Sequence, residues 1–237
     1  MSSEQFVCLV CGYNMVGARP DRCPFCGATP DRFLTSEECS ARYRVVATPV
    51  AEGVFQLRST PELGLEHAAY RVETGRRIWW IDCPASFDRS LPPADVITFT
   101  HHHFLGASNQ YREHFGCEVR IHQLDSGHDL CRGFPFDRPF VADFVEDGIE
   151  AIHRDGHTPG FSFYRFEGVL FSCDYVFLKG GRMEFNPFGP AEETRRGAQR
   201  LLAAVDGRGL HTVCGYREVT PFDTWRRQLG ALLESGR

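Results

Sequence analysis

The chain has 237 residues, 42% of them hydrophobic and 24% charged, with a formal net charge of -5 at pH 7. That composition supports a folded core. The acidic balance, with no long run of Lys or Arg, excludes the electrostatic footprint of a nucleic-acid or anionic-membrane binder.

The first residues, MSSEQFVCLVCG, lack the basic start and apolar core of a secretory signal. No apolar stretch approaches the roughly eighteen residues that a membrane span needs, so a soluble, cytoplasmic protein is expected. Ten cysteines are present, four in two C-x-x-C pairs and six scattered singly. In a reducing compartment this distribution favours a metal site plus buried thiols, with Cys39, Cys83, Cys117, Cys131, Cys173 and Cys214 as packing residues.

Residues 1–36 are too few for a stable core unaided, so a bound metal is expected to supply the missing folding energy. In CLVCGYNMVGARPDRCPFCG the knuckles Cys8/Cys11 and Cys23/Cys26 are eleven residues apart. Each knuckle offers two thiolates to one ion, and two knuckles complete a tetrahedron suited to iron or zinc. Gly12 and Gly27 follow the second cysteine of each knuckle, where a tight turn can absorb a positive φ and aim N–H groups at sulfur.

Residues 37–44 read as a linker, and 45–237 as a second, α/β domain. VVATPVAEGVFQLR and YRVETGRRIWWIDC read as strands, the latter a hairpin turning at Gly75. ADVITFTH is a buried strand that ends at a histidine cluster. EVRIH, IEAIHRDGH, FSFYRFEG, VLFSCDYVFL and LHTVCGY are strand-like. Pro190 opens a helix through AEETRRGAQRLLAAV, and Pro221 opens another through FDTWRRQLGALLE, each with a proline start and one apolar face.

Chemistry concentrates at strand ends. His101, His102 and His103 follow ADVITF, His157 lies in the loop GHTPG, and Asp174 ends VLFSC. Separated His, His and Asp at neighbouring strand ends form a non-haem metal ligand set. His102 is expected to face away from the metal, because adjacent residues in extended chain point to opposite sides. His67, His114, His122, His128, His153 and His211 carry no motif and default to surface or satisfied core positions. The Phe134–Phe144 stretch reads as ordinary packing.

The N-terminal segment resembles the rubredoxin family, especially the short rubredoxin-like domain of rubrerythrins. The resemblance rests on CxxCGY (Cys8, Cys11, Gly12, Tyr13), Gly17, Pro20, CPxCG (Cys23, Pro24, Cys26, Gly27) and Phe33. It implies one Fe(Cys)₄ centre that passes one electron at a time, with structural zinc as the alternative.

The remainder resembles the metallo-β-lactamase superfamily, in the order T-H-x-H-x-D-H, G-H-T-x-G, a bridging Asp and a final His. IDCPAS places Asp82 at the family's Asp-bearing strand. The resemblance implies an αββα sandwich over residues 45–237, with His101, His103, His157 and Asp174 as the first metal site. Leu105, Gly106 and Tyr216 stand where ligands of the second metal should be. Leu and Gly offer no ligating side chain, and neutral Tyr is a poor ligand.

The expectation is an oxidoreductase. The N-terminal iron passes electrons to a mononuclear non-haem iron that activates O₂, a peroxide or a sulfur compound. A reductase or ferredoxin is the possible upstream donor, a small molecule the substrate, and Tyr216 a candidate catalytic contact. The alternatives are a mono-zinc hydrolase and a non-catalytic redox-sensing or assembly module. The sequence gives no oligomeric state.

Overall fold

A computed structural model describes residues 4–235. The chain forms two compact units, Met1–Phe140 and Val141–Arg237.

The first unit begins with a three-stranded antiparallel sheet of β1 (Gln5–Cys8), β2 (Asn14–Val16) and β3 (Phe33–Thr35), in the order β2-β1-β3. The short strands enclose a small cluster of Phe6, Cys8, Cys11, Tyr13, Cys23 and Phe33. Helix α1 (Ser36–Arg42) follows directly. Thr35 starts it with a capping box, its hydroxyl accepting from Glu38 N–H at 3.2 Å and the Glu38 carboxylate accepting from Thr35 N–H at 2.8 Å.

A six-stranded sheet then forms in sequential order from β4 (Arg44–Ala51), β5 (Val54–Thr60), β6 (Ala69–Glu73), β7 (Ile78–Ile81), β8 (Val96–Thr98) and β9 (Glu118–Arg120). The hairpin expected at Gly75 joins β6 and β7. From β7 onward the pairing is parallel, with Ile81 opposite Thr98 and Thr98 opposite Arg120. Helix α2 (Ser108–Phe115) carries the crossover from β8 to β9, and α3 (Gln123–Ser126) follows β9.

The strand IWWI is apolar throughout because β7 is buried on both faces. Trp80 packs edge-on against Tyr111, while the Arg120 guanidinium lies 4.9 Å from the Trp79 ring centre. Phe134 and Phe136 join the same core, as ordinary packing requires.

The second unit has the sheet β10 (Phe144–Glu146), β11 (Ile149–His153), β12 (Ser162–Phe166), β13 (Val169–Cys173), β16 (Thr212–Gly215) and β17 (Val219–Pro221), adjacent in that order. A hairpin of β14 (Val176–Lys179) and β15 (Arg182–Phe185), then helix α4 (Ala191–Val205), connects β13 to its parallel neighbour β16. Helix α5 (Phe222–Glu234) ends the described chain. Both helices were legible as amphipathic: Thr194, Ala198, Leu201 and Val205 form the buried stripe of α4, and Phe222, Trp225 and Leu229 that of α5. Each large apolar side chain so buried contributes about 1.5–3 kcal/mol. Among the described residues, no helix is long and apolar enough to cross a membrane.

Cys39, Cys83, Cys117, Cys131, Cys173 and Cys214 are all buried and outside any disulfide. Burial pushes the Cys117 thiol up to about 11 and those of Cys39 and Cys131 to about 12. Those three thiols therefore stay protonated at neutral pH.

Candidate metal centres

The two knuckles bring Cys8, Cys11, Cys23 and Cys26 together, with all four sulfurs within 4.8 Å of one another. Cys8–Cys26 and Cys11–Cys23 are each 3.7 Å apart. A tetrahedron with metal–sulfur bonds of about 2.3 Å has edges of about 3.8 Å, so the cage fits one iron or zinc ion. Crowding makes the thiols share protons. Side-chain hydrogen bonds from Cys11 and Cys23 pull the Cys8 thiol down to about 2, while Cys11, facing Cys23, is held far above the ordinary thiol range.

The turns at the two knuckles form as the sequence leads one to expect. Gly12 and Gly27 do take positive φ, +80° and +73°. Their N–H groups, however, donate to the carbonyl oxygens of Cys8 (2.8 Å) and Cys23 (2.9 Å) rather than to sulfur. The turns instead aim the Val10 and Cys11 N–H groups at the Cys8 sulfur, and those of Phe25 and Cys26 at Cys23.

Three of the cysteines are buried and Cys26 is exposed. Phe104, from the histidine loop, belongs to the same apolar cluster as Cys8, Cys11 and Cys23. Phe25, between Cys23 and Cys26, lies 4.7 Å from the Phe104 ring and 5.6 Å from His103. Further ties hold this contact. Asn14 donates to the Ala85 carbonyl at 2.9 Å, Gln5 to that of Gly106 at 3.4 Å, and Tyr13 to that of Leu130 at 3.2 Å.

The parallel run β7-β8-β9 collects chemistry at its carboxyl ends, as open α/β sheets do. Asp82 follows β7, Thr100 to His103 follow β8, and Asp125 follows β9. Asp82 has φ 59° and is 1% exposed. Its carboxylate accepts from Thr100 N–H at 2.9 Å and sits 3.0 Å from the Thr100 hydroxyl through both oxygens. That hydroxyl is 3.0 Å from His101 Nδ1.

His101 and His103 bring ring nitrogens within 4.8 Å of each other. His102 turns elsewhere, its Nδ1 3.0 Å from Asp125 and its ring stacked on His128 at 3.8 Å. His67, which no motif marks, is a buried neighbour 4.0 Å from Asp82, with its ring 6.0 Å from His101.

Position 106 has a steric explanation. Gly106 has φ +54°, and a Cβ there would meet the carbonyl oxygens of Cys83 and Pro84 at 2.4 Å. No ligating side chain fits. Leu105 is 2% exposed and packs into the core of its unit.

In the second unit, β11 and β13 both run antiparallel to β12, so their carboxyl ends lie on one side. These ends carry the His157 loop and Asp174, whose ligating atoms lie within 4.8 Å. Asn186, just after β15, spans the pair. Its amide nitrogen is 3.2 Å from His157 Nε2 and donates to Asp174 through the Oδ2 carboxylate oxygen (3.1 Å) and the backbone carbonyl (3.0 Å). Sequence reasoning missed Asn186 because FNPFGP carries no motif. Tyr216 is half-buried, edge-on to Phe177 at 5.2 Å and beneath the Arg217 guanidinium at 4.9 Å. Imidazole nitrogens and a carboxylate are the donor set that zinc and non-haem iron take.

The family model of the rubrerythrin, rubredoxin-like domain matches residues 6–34. A search of curated proteins gave no match. Among solved structures, the metallo-β-lactamase from Pontibacter korlensis is 15% identical, with TM-score 0.63 over 81% of this chain and 99% of that one. A metallo-β-lactamase from Erythrobacter litoralis is 14% identical, with TM-score 0.64 over 81% and 96%. The DIM-1 metallo-β-lactamase is 13% identical, with TM-score 0.63 over 82% and 99%. Residues 6–34 are thus a rubredoxin-like domain of the rubrerythrin type, carried by a chain with the metallo-β-lactamase fold.

Proposed function

We propose that the chain is a metal-dependent oxidoreductase in which Cys8, Cys11, Cys23 and Cys26 hold an iron that supplies single electrons to a mononuclear non-haem iron held by His101, His103, His157 and Asp174. The observation that carries this reading is the packing of the cysteine cage onto the histidine loop, with Phe25 in contact with both Phe104 and His103. A purely structural zinc ribbon has no need of a face built against a ligand of another metal.

Each residue has a role in this scheme. The N–H groups directed at Cys8 and Cys23 set the potential of the cage, as hydrogen bonds to sulfur do. Phe25 and Phe104 place aromatic rings between the cage and His103. Cys26, exposed where the other three thiols are buried, is the side on which an upstream donor, a reductase or a ferredoxin, would approach. Asn186 holds His157 and Asp174 in register. Tyr216 is the candidate substrate contact. The steric closure at Gly106 supports one ion at the histidine site rather than two. The substrate is a small molecule, with O₂, a peroxide or a sulfur compound as the species to be activated.

Metal analysis and visible spectroscopy of the full-length protein test the reading. Two irons per chain are expected, with thiolate-to-ferric bands that bleach on reduction and return on adding substrate. Reductant-driven turnover should vanish in both His157→Ala and the double variant Cys8→Ser, Cys11→Ser. Full turnover in the double variant removes the relay. Zinc at the histidine site with ester cleavage independent of reductant replaces it with a hydrolase, and an absence of metal there leaves a non-catalytic module.

A further inference from the structure

We propose that a groove in the first unit binds an extended organic cation of the polyamine class. The groove has a volume of about 1160 Å³ and lies between the start of β1, helix α1, the segment that follows Ser86 and helix α2. All of its lining residues belong to Met1–Phe140, and none of the candidate metal ligands is among them. The inference is therefore independent of which metal the chain holds.

The floor of the groove carries a buried acceptor with nothing to accept. Asn14 Nδ2 donates to the carbonyls of Gly12 at 3.2 Å and Ala85 at 2.9 Å, which fixes its Oδ1 as the atom that meets Gln5. Gln5 Nε2 donates to that Oδ1 at 2.5 Å and to the Gly106 carbonyl at 3.4 Å. Turning the Gln5 amide over would set its oxygen against two others, so the orientation is locked. Gln5 lines the groove at 4% exposure, and its Oε1 has no partner among the described residues. With Nε2 committed to Asn14 and Gly106, a donor for Oε1 has to come from the groove. Ser40 Oγ on α1 and Asn109 Oδ1 on α2, both from lining residues, are likewise buried without a partner.

The open charge points the same way. Glu4, Glu37 and Glu113 line the groove with exposed carboxylates that make no ion pair among the described residues. Helical spacing puts them beside the unmet polar atoms: Glu37 and Ser40 are three apart on α1, and Asn109 and Glu113 four apart on α2. The lining arginines are engaged. Arg112 is paired with Asp137, Arg44 donates to the carbonyls of Ser40 at 2.5 Å and Tyr43 at 3.3 Å, and the Arg89 guanidinium lies 5.8 Å from the Phe87 ring centre. What the groove leaves open is thus mainly acceptors and negative charge, which a ligand with N–H donors and positive charge satisfies. The three carboxylates do not lie together within 4.8 Å, so they cannot share one metal ion. Ammonium groups spaced along a chain can reach all of them, and Phe87 and Pro135 offer apolar wall to the methylenes between.

The test titrates full-length protein with spermidine, a triamine, by calorimetry at low salt, and follows the Gln5 side-chain amide in ¹H–¹⁵N spectra. One spermidine per chain is expected, with binding that weakens as salt rises. Removing one carboxylate should weaken it about 2- to 5-fold, as for a partly exposed ion pair, so the triple variant Glu4→Gln, Glu37→Gln, Glu113→Gln should bind about 10- to 100-fold more weakly than wild type. A control triple, Glu52→Gln, Glu192→Gln, Glu234→Gln, removes the same charge from exposed sites that do not line the groove and should bind as wild type does. Asn109→Leu, which keeps every charge, should also weaken binding. The Gln5 amide signal should shift as wild type saturates. No spermidine binding by wild type, equal losses in the two triple variants, or a Gln5 signal unmoved at saturation overturns the proposal.

Discussion

Gly106→Ala adds one methyl group, and the structure assigns it a large cost. The new Cβ would lie 2.4 Å from two backbone oxygens, whereas carbon–oxygen contacts begin near about 3.3 Å, so roughly 0.9 Å must be found by moving main chain. The obstructing segment is pinned. Ala107 N–H donates to the Pro84 carbonyl at 2.9 Å, Ala85 N–H to buried Glu66 at 2.6 Å, and Asn14 to the Ala85 carbonyl at 2.9 Å. A left-handed residue with a side chain costs about 1–2 kcal/mol, and overpacking costs about 1–3 kcal/mol. The expected loss is about 2–5 kcal/mol.

Gly116→Ala separates the two contributions, because Gly116 shares the conformation at φ +68° but has open space at its Cβ position. That control should lose only the conformational part. Urea denaturation followed by tryptophan fluorescence in a Trp225→Phe background reports on the first unit alone, since Trp79 and Trp80 are then the remaining indoles. Equal losses for Gly106→Ala and Gly116→Ala would refute the steric account of the missing second-metal ligand.

Phe25→Ala should leave the cage spectrum intact, lower stability by about 1–3 kcal/mol through loss of its two ring contacts, and slow reduction of the second metal by the first. An unchanged rate would show that the contact is structural only. Asp137 is held below the usual carboxylate range first by hydrogen bonds from Arg112, with the Val119 N–H adding to them. A lowered pKa gives stability that is present above the unfolded value near 3.8 and lost as pH falls through the folded value. Acid titration of wild type should therefore show a loss below about pH 4, limited to about 1 kcal/mol by partial exposure. Asp137→Asn should be less stable at neutral pH and lack that loss.

The cysteine cage was legible from spacing alone, because both halves are local turns and the ligands lie within two short knuckles. The amphipathic helices α4 and α5 and the Gly75 hairpin were legible for the same reason. His102 was correctly set apart from His101 and His103, although its partners Asp125 and His128 could not be named, since parallel pairing of β8 with β9 brings them close. Asn186 and His67 escaped because neither sits in a motif, and their neighbours are distant in sequence.

The sequence by itself pointed to two candidate ligand sets and put at positions 105 and 106 residues with no side chain that can ligate an ion. Only the tertiary structure decided why. The left-handed turn at Gly106 is filled by the carbonyls of Cys83 and Pro84, a clash set by long-range packing and invisible in a one-letter code. It also decided what the cage faces. Cys8, Cys11 and Cys23 share an apolar cluster with Phe104, about eighty residues or more along the chain, because burial of those aromatic rings outweighs the cost of closing so long a loop.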